Sequence, residues 1–347
     1  MLLDEVGSDN SAPRQPSART GAPVIAVLLL LAAVAYALAC GLNDGGMLVG
    51  LATRTGTVAP VAAVGIMVVA VIGGPFVLGT SVATTLMRRL AQGPVSGKSG
   101  TLVLIAVLVT FMVVLALSRW GLPTSLTLAL VGGIVGGGLG LGLPVQWLVV
   151  VRVLGLALLA PIAAGVLAWL GAWWLGHTRT RWLGRRIGAG SEFVALGAQS
   201  AAYSATGAQG MVAILAATSA VGSRQIPVSW SGQLLVGFAF GVGLLLGAPR
   251  TARLVSERFV HVRRHTALVS ESSSALVCLF AARLGAPVSL TQATMGALLG
   301  GEIRFAPHRV RWGEAGQIGR TWLLTLPVAL LVAWGVAVVG TTLGGGR

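Results

Sequence analysis

The chain has 347 residues, 55% of them hydrophobic and only 10% charged, with 50 glycines and a formal net charge of +15. Soluble domains carry roughly a quarter charged residues, so an ordinary soluble domain, a disordered protein and a disulfide scaffold are all excluded. A basic balance of this size suggests nucleic acid in a soluble protein. Here the arginines cluster between apolar runs, where they read as topology signals and headgroup contacts, so the partner is the bilayer and not nucleic acid.

In chain order, residues 1–22 are polar (Asp4, Glu5, Asp9, Arg14, Arg19) and form a disordered tail. Ten apolar runs follow, near 24–40, 58–79, 101–118, 123–142, 145–176, 193–218, 226–248, 266–282, 284–303 and 321–340. A helix needs about 17–25 residues to span a membrane. The fifth run is too long for one simple span, so ten to twelve transmembrane or re-entrant helices are expected. The runs are continuous, whereas barrel strands alternate with period two, and the fold class is therefore all-α polytopic. The first run ends Ala37-Leu38-Ala39-Cys40, which mimics a lipoprotein signal; the acidic flank and the nine later runs make it a first transmembrane helix. Cys40 and Cys278 read as small buried hydrophobes. The four histidines lack ligand spacing, so no metal site and no cofactor are expected.

With the N-terminus outside, fifteen basic residues fall in cytoplasmic connections, eight fall outside, and Arg152 lies within a span. The positive-inside rule thus places both termini outside a plasma membrane. Residues 177–190, carrying four arginines, become a cytoplasmic link between a membrane unit at 23–176 and another at 191–340, with 341–347 as a C-terminal tail. Residues 249–265 share its side of the membrane.

The two units resemble each other. Residues 121–137 (GLPTSLTLALVGGIVGG) and 285–301 (GAPVSLTQATMGALLGG) agree at nine of seventeen positions, 164 residues apart. Upstream, GLNDGGMLVGLAT from Gly41 pairs with GAQGMVAILAAT from Gly207 at offset 166, and Gly79 pairs with Gly247. Three markers in one order indicate a duplication. Five runs per half would invert the second copy, the plan of secondary transporters with a site at the midplane.

Pro123 and Pro287 suit the first turn of a helix. Ser125, Thr127, Ser289 and Thr291 then place hydroxyls beside free amides, a ready anion site, with Ser125 and Ser289 expected on one cavity. The plainer alternative is that these hydroxyls bond backbone or neighbouring helices. Gly132, Gly136, Gly296 and Gly300 form small-xxx-small packing faces. Asp44, beside Asn43 and among glycines, puts a carboxylate at bilayer depth, where a cation or proton would compensate it; the glycines would let the helix unwind there. The alternative is a solvated helix end. Glu271 and Glu302 are expected at solvated or ion-paired span ends, with a pore-lining position as the alternative.

At these residues the sequence resembles the PiT-type inorganic phosphate transporter family, sodium- or proton-coupled phosphate symporters with two inverted repeats. Gly41-Leu42-Asn43-Asp44-Gly45-Gly46-Met47 looks like its G-A-N-D-V-A-N signature, and Gly121 to Leu128 looks like its G-L-P-V-S-T-T-H motif. Gly207 to Ala213 and Gly285 to Gln292 occupy the matching places in the second half. Gln209 and Gly210 stand where the family has Asn and Asp. Leu126 and Leu290 replace a Thr, and Leu128 and Gln292 replace the His. The resemblance implies phosphate or a similar oxyanion held by Ser125, Thr127, Ser289, Thr291 and Gln209, with Asn43 and Asp44 holding a coupling Na+ or H+. Sulfate transport, or a non-transporting scaffold or regulatory partner, are the alternatives. The pattern is also compatible with a homo-oligomer.

Overall fold

Each apolar run carries a helix, and the reasons are local. In a computed structural model describing residues 22–53, 56–90, 97–119, 124–177, 189–219, 228–254 and 263–344, every secondary-structure element is helical. The first half comprises α1 (Ala22–Cys40), a π-helical stretch (Gly41–Gly45), α2 (Gly46–Thr53), α3 (Pro60–Leu78), α4 (Ser81–Thr84, continued by a π turn over Thr85–Arg89), α5 (Gly97–Arg119), α6 (Leu126–Gly140) and α7 (Trp147–His177). The second half comprises α8 (Ala189–Ala205), α9 (Gln209–Ser219), α10 (Trp230–Leu254), α11 (Arg264–Arg283), α12 (Leu290–Phe305), a 3-10 turn (Pro307–Arg309) and α13 (Trp312–Gly344). Among the described residues seven helices are long and apolar enough to cross a membrane: Val24–Thr53, Pro60–Leu78, Lys98–Leu117, Trp147–Gly176, Trp230–Ala248, Arg264–Arg283 and Trp312–Leu343. The chain is a multi-pass membrane protein.

Several sequence expectations need correction. The long fifth run is one helix of 31 residues, with Pro161 inside it. The first helix does not stop at Cys40 but passes through Asp44 to Thr53, and it widens into a π stretch instead of unwinding. The sixth run is broken at Thr206–Ala208 into α8 and α9. The basic connection after Gly79 begins with a short helix, α4, which carries no sustained apolar run to announce it. Most of 177–190, residues 255–262 of the 249–265 connection, and Pro123 itself lie outside the described residues.

The halves exchange helices. Four glycines let backbones meet where any side chain would separate them. A Cβ built on Gly132 or Gly136 would lie 2.6 Å or 2.0 Å from the carbonyl oxygens of Leu326 and Leu330 in α13. In the other half, Gly296 and Gly300 stand 2.1 Å and 1.9 Å, on the same measure, from the carbonyls of Pro161 and Gly165 in α7. Thus α6 packs on the last helix of the second half, and α12 packs on the last helix of the first. Helix α1 likewise packs on α10, and α8 on α3. This reciprocity buries the signature segments of both halves together, using the close backbone approach that membranes favour where no hydrophobic force joins helices.

Candidate functional site

Ser125 and Ser289 occupy the same place in their two helices. Each has extended backbone angles and caps its helix: Leu128 N donates to Ser125 Oγ at 3.3 Å, and Gln292 N to Ser289 Oγ at 3.4 Å. Pro287 therefore lies two residues before the cap, outside the first turn, where it stiffens the approach. Ser289 Oγ also shares a hydrogen bond of 2.8 Å with Thr291 Oγ1.

The π stretch carries the other half of the site. Gly41 and Gly45 face α10, where a Cβ on Gly41 would lie 2.1 Å from the Phe240 carbonyl oxygen. That contact lets the widened turn sit against α10 and directs Asn43 and Asp44 toward α6. Such π turns recur at functional sites. Asn43 Nδ2 donates to Asp44 Oδ1 at 2.9 Å and to the Thr124 carbonyl at 3.4 Å. Tyr203, Tyr36 and Cys40 lie close behind the carboxylate.

The two segments meet at one small cavity of about 50 Å³, lined by Asn43, Asp44, Met47, Thr124, Thr291, Met295 and Trp322. Asp44 and Thr124 are buried, and the Thr124 hydroxyl has no hydrogen-bond partner among the described residues. On one side Met47, Met295 and Trp322 join Leu51, Ala267, Leu298 and Ile318 in an apolar plug. The plug is drawn from α2, α11, α12 and α13, and Arg264 and Arg304 stand at the start of α11 and the end of α12.

Of the residues singled out in the sequence, Asn43, Asp44 and Thr291 line the cavity. Ser289 stands behind Thr291, and Ser125 is adjacent to Thr124; neither serine lines the cavity, because each is turned onto its own helix as a cap. Thr127 is buried in the first turn of α6. Gln209 does not reach the cavity. Its Nε2 donates to the Ser204 and Gly79 carbonyls at 2.9 Å and 3.3 Å, and its Oε1 accepts from Ala83 N at 3.3 Å. It fastens the break between α8 and α9 to the start of α4. Sequence reasoning missed Thr124, Met47, Met295 and Trp322 as lining residues. Thr124 was visible inside the repeated motif, but its partner there is Val288, so the repeat gave it no emphasis.

The second signature is closed by an aromatic ring. A Cβ on Gly210, the mate of Asp44 at offset 166, would lie 2.9 Å from both Cε1 and the hydroxyl of Tyr36. Tyr36 is fully buried there. The space a second carboxylate would need is already filled.

A family model described as the phosphate transporter family matches residues 40–186 and 191–333. The chain belongs to this family. It is a membrane transporter and not an enzyme. It is similar to a probable low-affinity inorganic phosphate transporter of Mycobacterium bovis, with 30% identity over 319 residues covering 88% of this chain and 75% of the relative. A protein of the same description from Bacillus subtilis is 22% identical over 322 residues, covering 88% of this chain and 94% of the relative. Among solved structures, one titled the sodium-dependent phosphate transporter superposes with a TM-score of 0.75 at 16% identity, covering 92% of this chain and 99% of that one. At that identity the match shows the fold.

Proposed function

We propose that the chain carries inorganic phosphate across the cell membrane as a secondary transporter coupled to a cation gradient, with both termini outside. The observation that supports this reading is the pairing of Asn43 and Asp44 with Thr124 and Thr291 across one cavity. The hydroxyls offer donors to an oxyanion, while Asp44 offers an acceptor to the proton that phosphate carries and sulfate lacks. The donor set otherwise suits either anion, so Asp44 is the discriminating group.

The charge balance explains the coupling. Among the described residues no Lys or Arg lines the cavity, and Asp44 brings a negative charge of its own. Two like charges in a low dielectric repel by several kcal/mol at contact distance. A phosphate anion therefore enters together with cations, and Asp44 with the Asn43 side-chain oxygen is the natural seat for one of them, either Na+ or H+. Among the described residues Asp44 is the only carboxylate lining the cavity, so any transport depends on it. Uptake of radiolabelled phosphate into proteoliposomes, with and without sodium and pH gradients and with sulfate as competitor, tests the reading. Stimulation by a gradient with weak sulfate competition is the expected result; absence of uptake under every gradient refutes it.

A further inference from the structure

The second half contains a buried polar seam that the first half lacks. Helix α11 packs on both α8 and α12, as α5 packs on both α1 and α6 in the first half. Gly301 of α12 faces Thr266 of α11 just as Gly137 of α6 faces Leu102 of α5, both positions being 164 residues apart. The first-half positions matching Thr266, Ser270, Glu271, Thr294 and Glu302 are Leu102, Ala106, Val107, Leu130 and Gly138. Gln199 and Ser200 match Ala33 and Val34 at offset 166. Thr110, the mate of Ser274, is polar, and it returns its hydroxyl to the Ala106 carbonyl of its own helix.

In the second half those side chains form two hydrogen-bonded groups along α11 and α12, with unpaired oxygens between them. Glu192 of α8 pairs with Arg264 at the mouth. Inward, Thr266 Oγ1 donates to Glu302 Oε2 at 3.5 Å, Thr294 Oγ1 donates to Ser274 Oγ at 3.1 Å, and Gln199 Nε2 donates to Thr294 Oγ1 at 3.3 Å. Glu271 and Glu302 are 2% and 0% exposed. Against the expectation of solvated or ion-paired span ends, one oxygen of each lacks a hydrogen-bond partner among the described residues, as do Ser270 Oγ, Ser200 Oγ and Gln199 Oε1. Unpaired polar groups at bilayer depth are costly and mark ion or proton paths. The charged groups around them are Glu192 and Arg264, His265 and Arg304 near the mouth; α7, packed against both α11 and α12, has no ionisable residue between Arg152 and His177. The inner end lies next to the cavity lining, because Thr294 is one turn beyond Thr291 and adjacent to Met295, both of which line it. From Glu302 to Thr291 the helix rises roughly 16 Å.

We propose that the interface of α8, α11 and α12 is a proton-binding relay, in which Glu271 and Glu302 take up protons from the face carrying Arg264 and exchange them with the substrate cavity through Ser270, Ser274, Thr294 and Gln199. Each carboxyl gains one proton and gives it up again, so no net chemistry occurs. A proton suits the seam better than a metal ion because its oxygens are strung along the helices instead of gathered around one point. The relay rests on the transport reading for its use, but not for its existence.

Infrared spectra of the purified protein in lipid nanodiscs test the site directly. The wild type is expected to show the carbonyl stretch of protonated carboxyl groups, and Glu271→Gln and Glu302→Gln each to remove part of it. Thr266→Val takes the hydroxyl from Glu302 without altering charge. It is expected to shift the band, and it keeps the test decisive where a Gln variant fails to fold. In proteoliposomes both Gln variants are expected to lose stimulation of phosphate uptake by a pH gradient while still binding radiolabelled phosphate at equilibrium. A band untouched by all three substitutions, or full pH-gradient stimulation in both Gln variants, overturns the relay. If the wild type moves no phosphate, the transport reading falls and the infrared result alone decides the relay.

Discussion

The segments at Asp44 and at Gly210 sit 166 residues apart in one duplicated plan, yet they do opposite work. Around Asp44 the helix is continuous, widened by a π stretch, and delivers a carboxylate and an amide to the cavity. Around Gly210 the helix is broken, the amide of Gln209 is consumed by three backbone groups, and Tyr36 from the first half fills the remaining space. The caps at Ser125 and Ser289, in contrast, are nearly superposable in geometry. Duplication has preserved what holds helices in place and released what binds charge, because backbone geometry tolerates few residue types while a lining position is answerable only to its ligand.

The largest effect expected from breaking this comparison is at Asp44. Asp44→Asn should abolish phosphate uptake in proteoliposomes with unchanged membrane insertion, since losing an intramembrane charge does not harm packing in lipid. Wild-type uptake with the same ion dependence would show that Asp44 has no coupling role. Next comes the helix exchange itself: Gly136→Val should cost about 3 kcal/mol or more, as overpacking against a backbone carbonyl cannot be relieved by a side-chain rotation. Thermal unfolding in detergent would show it, and Gly300→Val should match it, because the two approaches are alike.

Gly210→Asp alone should cost about 1–3 kcal/mol through its collision with Tyr36, and Tyr36→Ala in the same chain should recover part of that loss. The double variant is also expected to change the ion dependence of uptake, and an unaltered dependence would show that a second carboxylate is not enough to build a second ion site. The smallest effects belong to the caps. Ser125→Ala and Ser289→Ala should each cost about 1 kcal/mol of stability. Uptake should suffer more from Ser289→Ala, since that serine also holds the Thr291 hydroxyl at the cavity.

Much of the fold was legible because duplicated glycines, prolines and serines are geometric necessities, and repetition exposes them. The break at Thr206–Ala208 and the π stretch at Gly41–Gly45 were not, because no composition change marks a helix that alters its winding inside an apolar run. In the site, Asn43, Asp44 and Thr291 stood out as polar groups against an apolar background. Met47, Met295 and Trp322 carried no such contrast, since apolar lining looks like every other buried face in this chain. Gln209 was misleading for a physical reason: it matches Asn43 in sequence, but the local break turns its amide onto backbone.

The ring of Tyr36 over Gly210 has a consequence for how this chain can change over generations. Restoring an aspartate at 210 first meets an occupied space, and trimming residue 36 first leaves a void beside the substrate cavity. Neither single step is an improvement, so the two positions hold each other fixed, and the loss of the second carboxylate behaves as a one-way door: a lineage that has passed it returns only by altering both residues together.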